Sequence, residues 1–156
     1  MSKKINIILI FILSFLVLSC GYKKISQVES QIHFQNVNVT GDKRIGFMLK
    51  NDLLLISNKD SEDKYVLDLN VTKKRKVKQK NSAGKVTRYN LSISANLLFK
   101  NINTQKTIER SFVRNSDYDI AKNHSDTINN EKNTKGNVVQ KLSEDISNFI
   151  ILYSKY

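Results

Sequence analysis

Two stretches of period-two alternation constrain this chain most. In residues 65–72 and 88–99, the odd-numbered side chains are apolar, and the even-numbered ones are polar except Val66 and Leu98. Because successive side chains of a strand point to opposite faces of a sheet, each stretch predicts a strand with one buried and one polar face. The turn residues of KNSAGK, 80–85, lie between them. The two stretches therefore predict a long β-hairpin whose apolar side must be covered by a second layer.

Two further elements precede the hairpin. Residues 31–40 predict a first strand, in which the apolar phase changes between Phe34 and Val37. This change indicates either a bulge or a strand that is covered on both faces. Asp42 is placed to cap a helix that follows directly. The apolar face predicted for this helix consists of Ile45, Met48, Leu49, Leu53 and Ile56.

Two more elements follow the hairpin. Residues 107–120 predict a fourth strand, and an apolar stripe predicts a helix from about Ser125 to Ser154, with Ser143 on its opposite, polar side. The element order is β-α-β-β-β-α. One core built from these elements predicts an α+β fold with two helices packed on one face of a mixed four-stranded sheet.

A positive start and an apolar run open the chain. Lys3 and Lys4 precede a run from Ile5 to Leu18, and the small residue Ser19 follows it. This order is typical of a secretory signal peptide. At about 1.5 Å per residue, the run covers about 21 Å, less than the roughly 30 Å hydrocarbon core of a bilayer. We therefore expect the run to be removed and not to remain as a spanning helix.

The single cysteine of the chain, Cys20, comes next. The stretch Val17-Leu18-Ser19-Cys20 resembles the lipobox of bacterial lipoproteins, which implies a diacylglyceryl group on the thiol and cleavage just before it. Since position 21 is not aspartate, the resemblance also implies sorting to the outer membrane. The alternative is an ordinary signal peptide followed by a free thiol.

We expect the chain to be divided into three parts. These are a signal peptide over 1–19, an acylated tether over 20–30 and a single α+β domain over 31–156.

The positive charge is concentrated in one segment. Without residues 1–19, which contain Lys3 and Lys4, 24 basic residues face 14 acidic ones. Between Leu69 and Ile108 there are ten basic residues and no acidic one. The rest of the mature chain is therefore neutral, and the whole excess lies on and beside the predicted hairpin.

A block of one charge sign produces a local field that concentrates anions. Nucleic acid is a common partner of such a block, but in an exported protein phosphorylated envelope lipids are favoured and nucleic acid is not expected. The alternative is a solvated hairpin whose charge serves solubility. The residues predicted to bind an anionic lipid headgroup are Lys73, Lys74, Arg75, Lys76, Lys78, Lys80, Lys85 and Arg88.

The leader, the element order and the local sequence resemble the lipopolysaccharide-assembly lipoprotein family LptE. The matching stretches are CGY from Cys20, RIGFMLKNDLLL in the first helix, RYNLSISANLLF from Arg88 and SDYDIAKN from Ser116. The chain departs from the family in having no proline. The resemblance implies a non-enzymatic outer-membrane lipoprotein that lies in the lumen of the LptD barrel and helps lipopolysaccharide reach the outer leaflet.

Side chains suited to catalysis are few. His33 and His124 have no set of further ligands at metal-binding spacing, so no metal site is expected. Asp117 and Asp119 share one strand face, but we interpret them as surface or capping residues and not as a catalytic pair. We therefore expect neither an enzyme nor a cofactor. The alternative function is a peripheral envelope lipoprotein that binds an anionic polymer or serves as an accessory subunit of an export machine.

Overall fold

The computed structural model describes residues 32–154, so the signal peptide, Cys20 and the tether lie outside the described residues. The elements are β1 (His33–Gly41), α1 (Lys43–Leu54), β2 (Lys64–Lys80), β3 (Val86–Asn101), β4 (Thr107–Asp119) and α2 (His124–Tyr153). The strand order is β1-β2-β3-β4, with β1 parallel to β2 and the other neighbours antiparallel. The predicted fold, two helices on one face of a mixed four-stranded sheet, is confirmed.

The core lies between the sheet and the two helices. On the helix-facing side of the central strands, Leu67 is in register with Phe99 and Leu69 with Leu97. Full burial of such a side chain stabilises the fold by about 1.5–3 kcal/mol. The buried residues that the helices contribute to this core are Ile45, Leu49, Leu53, Val138, Val139, Leu142, Ile146 and Ile150.

Three positions on the helices differ from the prediction. Met48 is 37% exposed, and Ile56 lies beyond the end of α1, although it still packs against the core. Ser143 is buried and not on a polar face. The reason for the last difference is that α2 packs against both the sheet and α1, so its buried surface is wider than one apolar stripe.

The junction between β1 and α1 depends on a glycine. Gly41 has a φ of 82°, and a Cβ at this position would collide with the carbonyl oxygen of Val71 in β2. Glycine permits both the positive φ and the close approach of the two backbones. The next residue, Asp42, accepts a hydrogen bond from the Ile45 amide over 3.1 Å, so the predicted cap is confirmed. Of the two alternatives for the phase change in β1, the structure shows the bulge, between Phe34 and Asn36.

An ion pair joins the edge strand β4 to α2. The Nε and Nη2 atoms of Arg114 donate to the two carboxylate oxygens of Asp145 over 2.5 and 2.7 Å. These hydrogen bonds hold the pKa of Asp145 below its usual value. The pair therefore stabilises the packing of α2 on the sheet only while Asp145 is ionised.

Asp145→Asn is expected to remove this contribution and its pH dependence. Because the folded pKa is the lower one, the pair stabilises the fold above the unfolded pKa of about 3.9, and the contribution is lost as pH falls through the folded pKa. At pH 7 the variant should lose at most about 1 kcal/mol of unfolding free energy, since both side chains are partly exposed. Urea unfolding at pH 7 and pH 3 measures the difference, with Asp60→Asn as an unpaired control. A loss that is the same at both pH values would contradict the prediction.

Candidate functional site

The hairpin formed by β2 and β3 extends past the end of β1. Gly41, the last residue of β1, is in register with Val71, whereas β2 continues to Lys80. Residues 72–80 are all exposed. The apolar alternation of β2 therefore ends before Lys73, and from there to Lys80 the strand stays paired with β3 and is exposed to water.

The tip of the hairpin is a closed turn. The Oδ1 atom of Asn81 accepts hydrogen bonds from the amides of Ala83 and Lys85 over 3.1 and 2.9 Å. Gly84 supplies the positive φ, 74°, that the turn needs. The backbone therefore holds Lys85 and Lys80 in defined positions at the end of the sheet.

Arg75 differs from the other candidates because it contacts the domain. Its Cζ lies 4.7 Å from the centre of the Tyr89 ring. Its Nη1 lies 3.5 Å from the Tyr118 hydroxyl and 3.5 Å from the Glu131 carboxylate on α2. The Tyr118 hydroxyl in turn donates to Glu131 over 3.1 Å. Arg75 thus links the hairpin to β4 and α2, and its main role is positional.

Two further candidates pair with the aspartates of β4. The Nε atom of Arg88 donates to Asp119 over 2.6 Å, and this hydrogen bond lowers the pKa of Asp119. The Nζ atom of Lys78 lies 4.0 Å from Asp117, which also accepts a hydrogen bond from Asn90 over 2.6 Å. Both aspartates therefore lie exposed on β4 with basic or amide partners.

The other five candidates project into solvent. Within residues 32–154, none of them has an ion-pair partner, in contrast to Arg75, Lys78 and Arg88. They are Lys73, Lys74, Lys76, Lys80 and Lys85. Five uncompensated charges, distributed over both faces of one ordered hairpin, produce a local field that attracts multiply charged anions.

Three cations that the sequence did not single out lie between the helices. Arg44 of α1 and Lys132 and Lys135 of α2 line a groove of about 770 Å³, with Met48 and Gly136 also at its walls. Lys135 follows Glu131, the partner of Arg75, by one helical turn. In the sequence, the only indication of this groove is the spacing of Lys132 and Lys135 beside Gly136. That spacing does not show that Arg44 of α1 lies on the other side of the groove.

The face of the sheet away from the helices is polar. Neighbouring strands are joined there by side-chain hydrogen bonds of 2.6–2.8 Å. These pairs are Asn38–Asp68, Thr72–Ser94, Asn96–Ser111 and Asn90–Asp117. A hydrogen-bonded polar face remains stable in water or against a hydrophilic wall.

Between residues 32 and 154, no three His, Cys, Asp or Glu side chains lie close enough to hold a metal ion. Over the same residues, no helix combines the length and apolarity needed to cross a bilayer.

Solved structures share this fold at low sequence identity. A protein from Caulobacter crescentus CB15 matches with a TM-score of 0.57 and 17% identity over 80% of this chain and 90% of that chain. A minor lipoprotein from Acinetobacter baumannii matches with a TM-score of 0.56 and 16% identity over 80% and 95%. The rare lipoprotein B from Shewanella oneidensis matches with a TM-score of 0.51 and 15% identity over 77% and 92%.

Sequence comparisons add nothing to this likeness. No protein-family model matches the chain, and no curated protein shows significant similarity to it. Identities of 15–17% establish a common fold and nothing more. The chain is therefore similar in fold to three bacterial proteins, all of which have the word lipoprotein in their names.

Proposed function

We propose that this protein is an outer-membrane lipoprotein, anchored through Cys20, that partners a large LptD-like β-barrel and helps deliver lipopolysaccharide to the outer leaflet. Two lines of support come from the lipobox around Cys20 and from the fold shared with the rare lipoprotein B and the minor lipoprotein. The third is the basic hairpin, which suits a phosphorylated glycolipid.

The single observation that carries the proposal is the group of five lysines without ion-pair partners among residues 32–154. Phosphate oxygens accept charge-assisted hydrogen bonds, which are about twice as strong as neutral ones. Flexible lysine side chains adapt to phosphates at several positions on one headgroup. The paired cations Arg75 and Arg88 hold the hairpin in place while the free lysines make the contacts.

The polar sheet face suits the second part of the proposal. The interior of a large outer-membrane barrel is polar. A face of hydrogen-bonded Asn, Ser, Thr and Asp side chains can lie against such a wall without leaving buried donors unpaired. The apolar side of the sheet is covered by the protein's own helices, so barrel binding requires no rearrangement of the core.

Affinity purification from detergent-solubilised envelopes tests the barrel partner. We expect recovery of one large barrel protein in a one-to-one complex. Depletion of the protein should then reduce surface lipopolysaccharide and cause its accumulation at the inner membrane. Recovery of the protein alone, with normal surface lipopolysaccharide, would contradict the proposal and favour a peripheral lipoprotein that binds an anionic polymer or serves an export machine.

Replacing Lys74, Lys76 and Lys80 together by glutamate is expected to weaken lipopolysaccharide binding at least tenfold. One hydrogen bond to a charged group contributes about 1.5–3 kcal/mol, and about 1.4 kcal/mol corresponds to tenfold in affinity. Arg75 is left unchanged because it contacts Tyr118 and Glu131. Binding to purified lipopolysaccharide and thermal unfolding are measured together.

The matched control reverses Lys59 and Lys106, which are exposed at the opposite end of the sheet. This control should bind lipopolysaccharide as the unchanged protein does. Both variants should unfold at nearly the same temperature, since exposed substitutions usually change stability by less than about 0.5 kcal/mol each. Equal weakening in the two variants would show a general charge effect and no hairpin site.

A further inference from the structure

The outer edge of β2 has no strand beside it beyond Val71. The Lys64 carbonyl accepts a hydrogen bond from the Ile102 amide, so even-numbered residues of β2 direct their backbone groups toward β3. The Val71 carbonyl accepts one from the Asp42 amide, so odd-numbered residues face the β1 side. β1 ends at Gly41, where the chain turns into α1. The backbone groups of the odd-numbered residues Lys73, Arg75 and Val77 therefore point away from β3, and no strand within residues 32–154 bonds to them on that side.

Side chains cover backbone groups at the two outermost strands of the sheet. The Nζ atom of Lys50 donates to the Val37 carbonyl on β1 over 2.8 Å. The Nδ2 atom of Asn130 donates to the Asp119 carbonyl on β4 over 3.0 Å. No hydrogen bond of this kind reaches the backbone of Lys73, Arg75 or Val77 from another described residue. The edge of β2 is therefore a stretch of the sheet that can accept a partner strand.

The charge at this edge determines what can bind. Lys73, Lys74 and Lys76 flank the free backbone groups and have no acidic partner among residues 32–154. Lysines at an edge repel other basic strands, including the same hairpin of a second copy. An extended acidic segment would instead gain both backbone hydrogen bonds and charge complementarity.

We propose that the edge of β2 from Lys73 to Val77 binds an extended acidic segment of a partner protein as an added strand. The segment would occupy the position that β1 leaves empty. The bulge between Val77 and Gln79 ends the regular edge and limits the added strand to about five residues. Val77, which is 49% exposed, provides an apolar contact for one side chain of the segment. This interaction uses the backbone and does not depend on the proposed lipid ligand.

Amide hydrogen exchange on the full-length lipoprotein in nonionic detergent tests the proposal. The probe is a capped seven-residue peptide of alternating glutamate and valine, without lipid. We expect exchange of the Arg75 and Val77 amides to slow at least about tenfold, while the Lys74 and Lys76 amides, already bonded to β3, change little. Binding without protection at Arg75 and Val77, or no binding at all, would overturn the proposal.

Two controls separate strand addition from charge attraction. A peptide with the same sequence but N-methylated at alternate amides keeps its charge and loses donors, so it should bind at least tenfold more weakly. Val77→Pro removes an outward N–H and leaves the even-numbered bonds to β3 intact, so it should weaken peptide binding and spare lipopolysaccharide binding. Equal binding of the two peptides would overturn the proposal even if the proline variant fails to fold.

Discussion

Phe99→Ala is expected to lower the free energy of unfolding by about 3–5 kcal/mol, the usual range for a fully buried phenylalanine. The Phe99 side chain has no exposed surface. Its ring stacks on Tyr65 with centroids 4.5 Å apart, and it meets Phe34 and Tyr153 edge-on at 6.5 and 5.9 Å. One truncation therefore removes contacts to β1, β2 and α2 at once. Since domains are stable by only about 5–15 kcal/mol in total, much of the stability would be lost.

The matched control is Phe99→Leu, which keeps most of the volume and loses the ring contacts. We expect it to cost less than half as much as Phe99→Ala, because it leaves a smaller cavity. Urea unfolding followed by circular dichroism measures both variants. A loss below about 1 kcal/mol for Phe99→Ala would mean that the aromatic cluster is not part of the cooperative core.

Cys20→Ala is expected to move the protein from the membrane fraction to the soluble periplasmic fraction. An acyl chain contributes about 0.8 kcal/mol per buried methylene group, and two chains suffice for stable anchoring. The chain has one cysteine, so no other thiol could carry the lipid. Fractionation of cells that express each form, followed by immunoblotting, measures the distribution.

Mass spectrometry of the processed, unchanged protein provides the independent control. A mature form that begins at Cys20 and carries acyl groups is expected. A free thiol, an intact leader, or membrane retention of Cys20→Ala equal to that of the unchanged protein would each contradict anchoring through this residue.

The fold followed from periodicity because the two central strands and the two helices have clear apolar patterns. The alternation in residues 65–72 and 88–99 placed the central strands, and Asp42 correctly marked the start of α1. Ser143 shows the limit of this reasoning, since burial of a small polar residue depends on α1 packing beside α2. Such a contact between distant segments leaves no periodic trace in the sequence.

The site could be predicted only as a set of charges. Charge counting identified eight cations on the hairpin, but the sequence does not show which of them have partners in the fold. Arg75, for example, contacts Tyr118 and Glu131. These residues lie 43 and 56 positions further along the chain, so the contacts exist only in the folded protein. Arg44 lines the helical groove for the same reason, because α1 and α2 are distant in the sequence and come together only in the fold.

The two ends of the domain are far apart. At one end, His33 at the start of β1 pairs with Lys64, the first residue of β2. The hairpin turn lies at the other end of β2, which is 17 residues long. At about 3.3 Å per residue, this strand measures about 56 Å, more than the roughly 40–45 Å thickness of a bilayer with its headgroups. If the lipid on Cys20 sits in the periplasmic leaflet and the domain stands upright inside a barrel, the lysines at the far end would reach the level of the phosphates on the cell surface. One small rigid body would then bridge both leaflets without crossing the hydrocarbon itself.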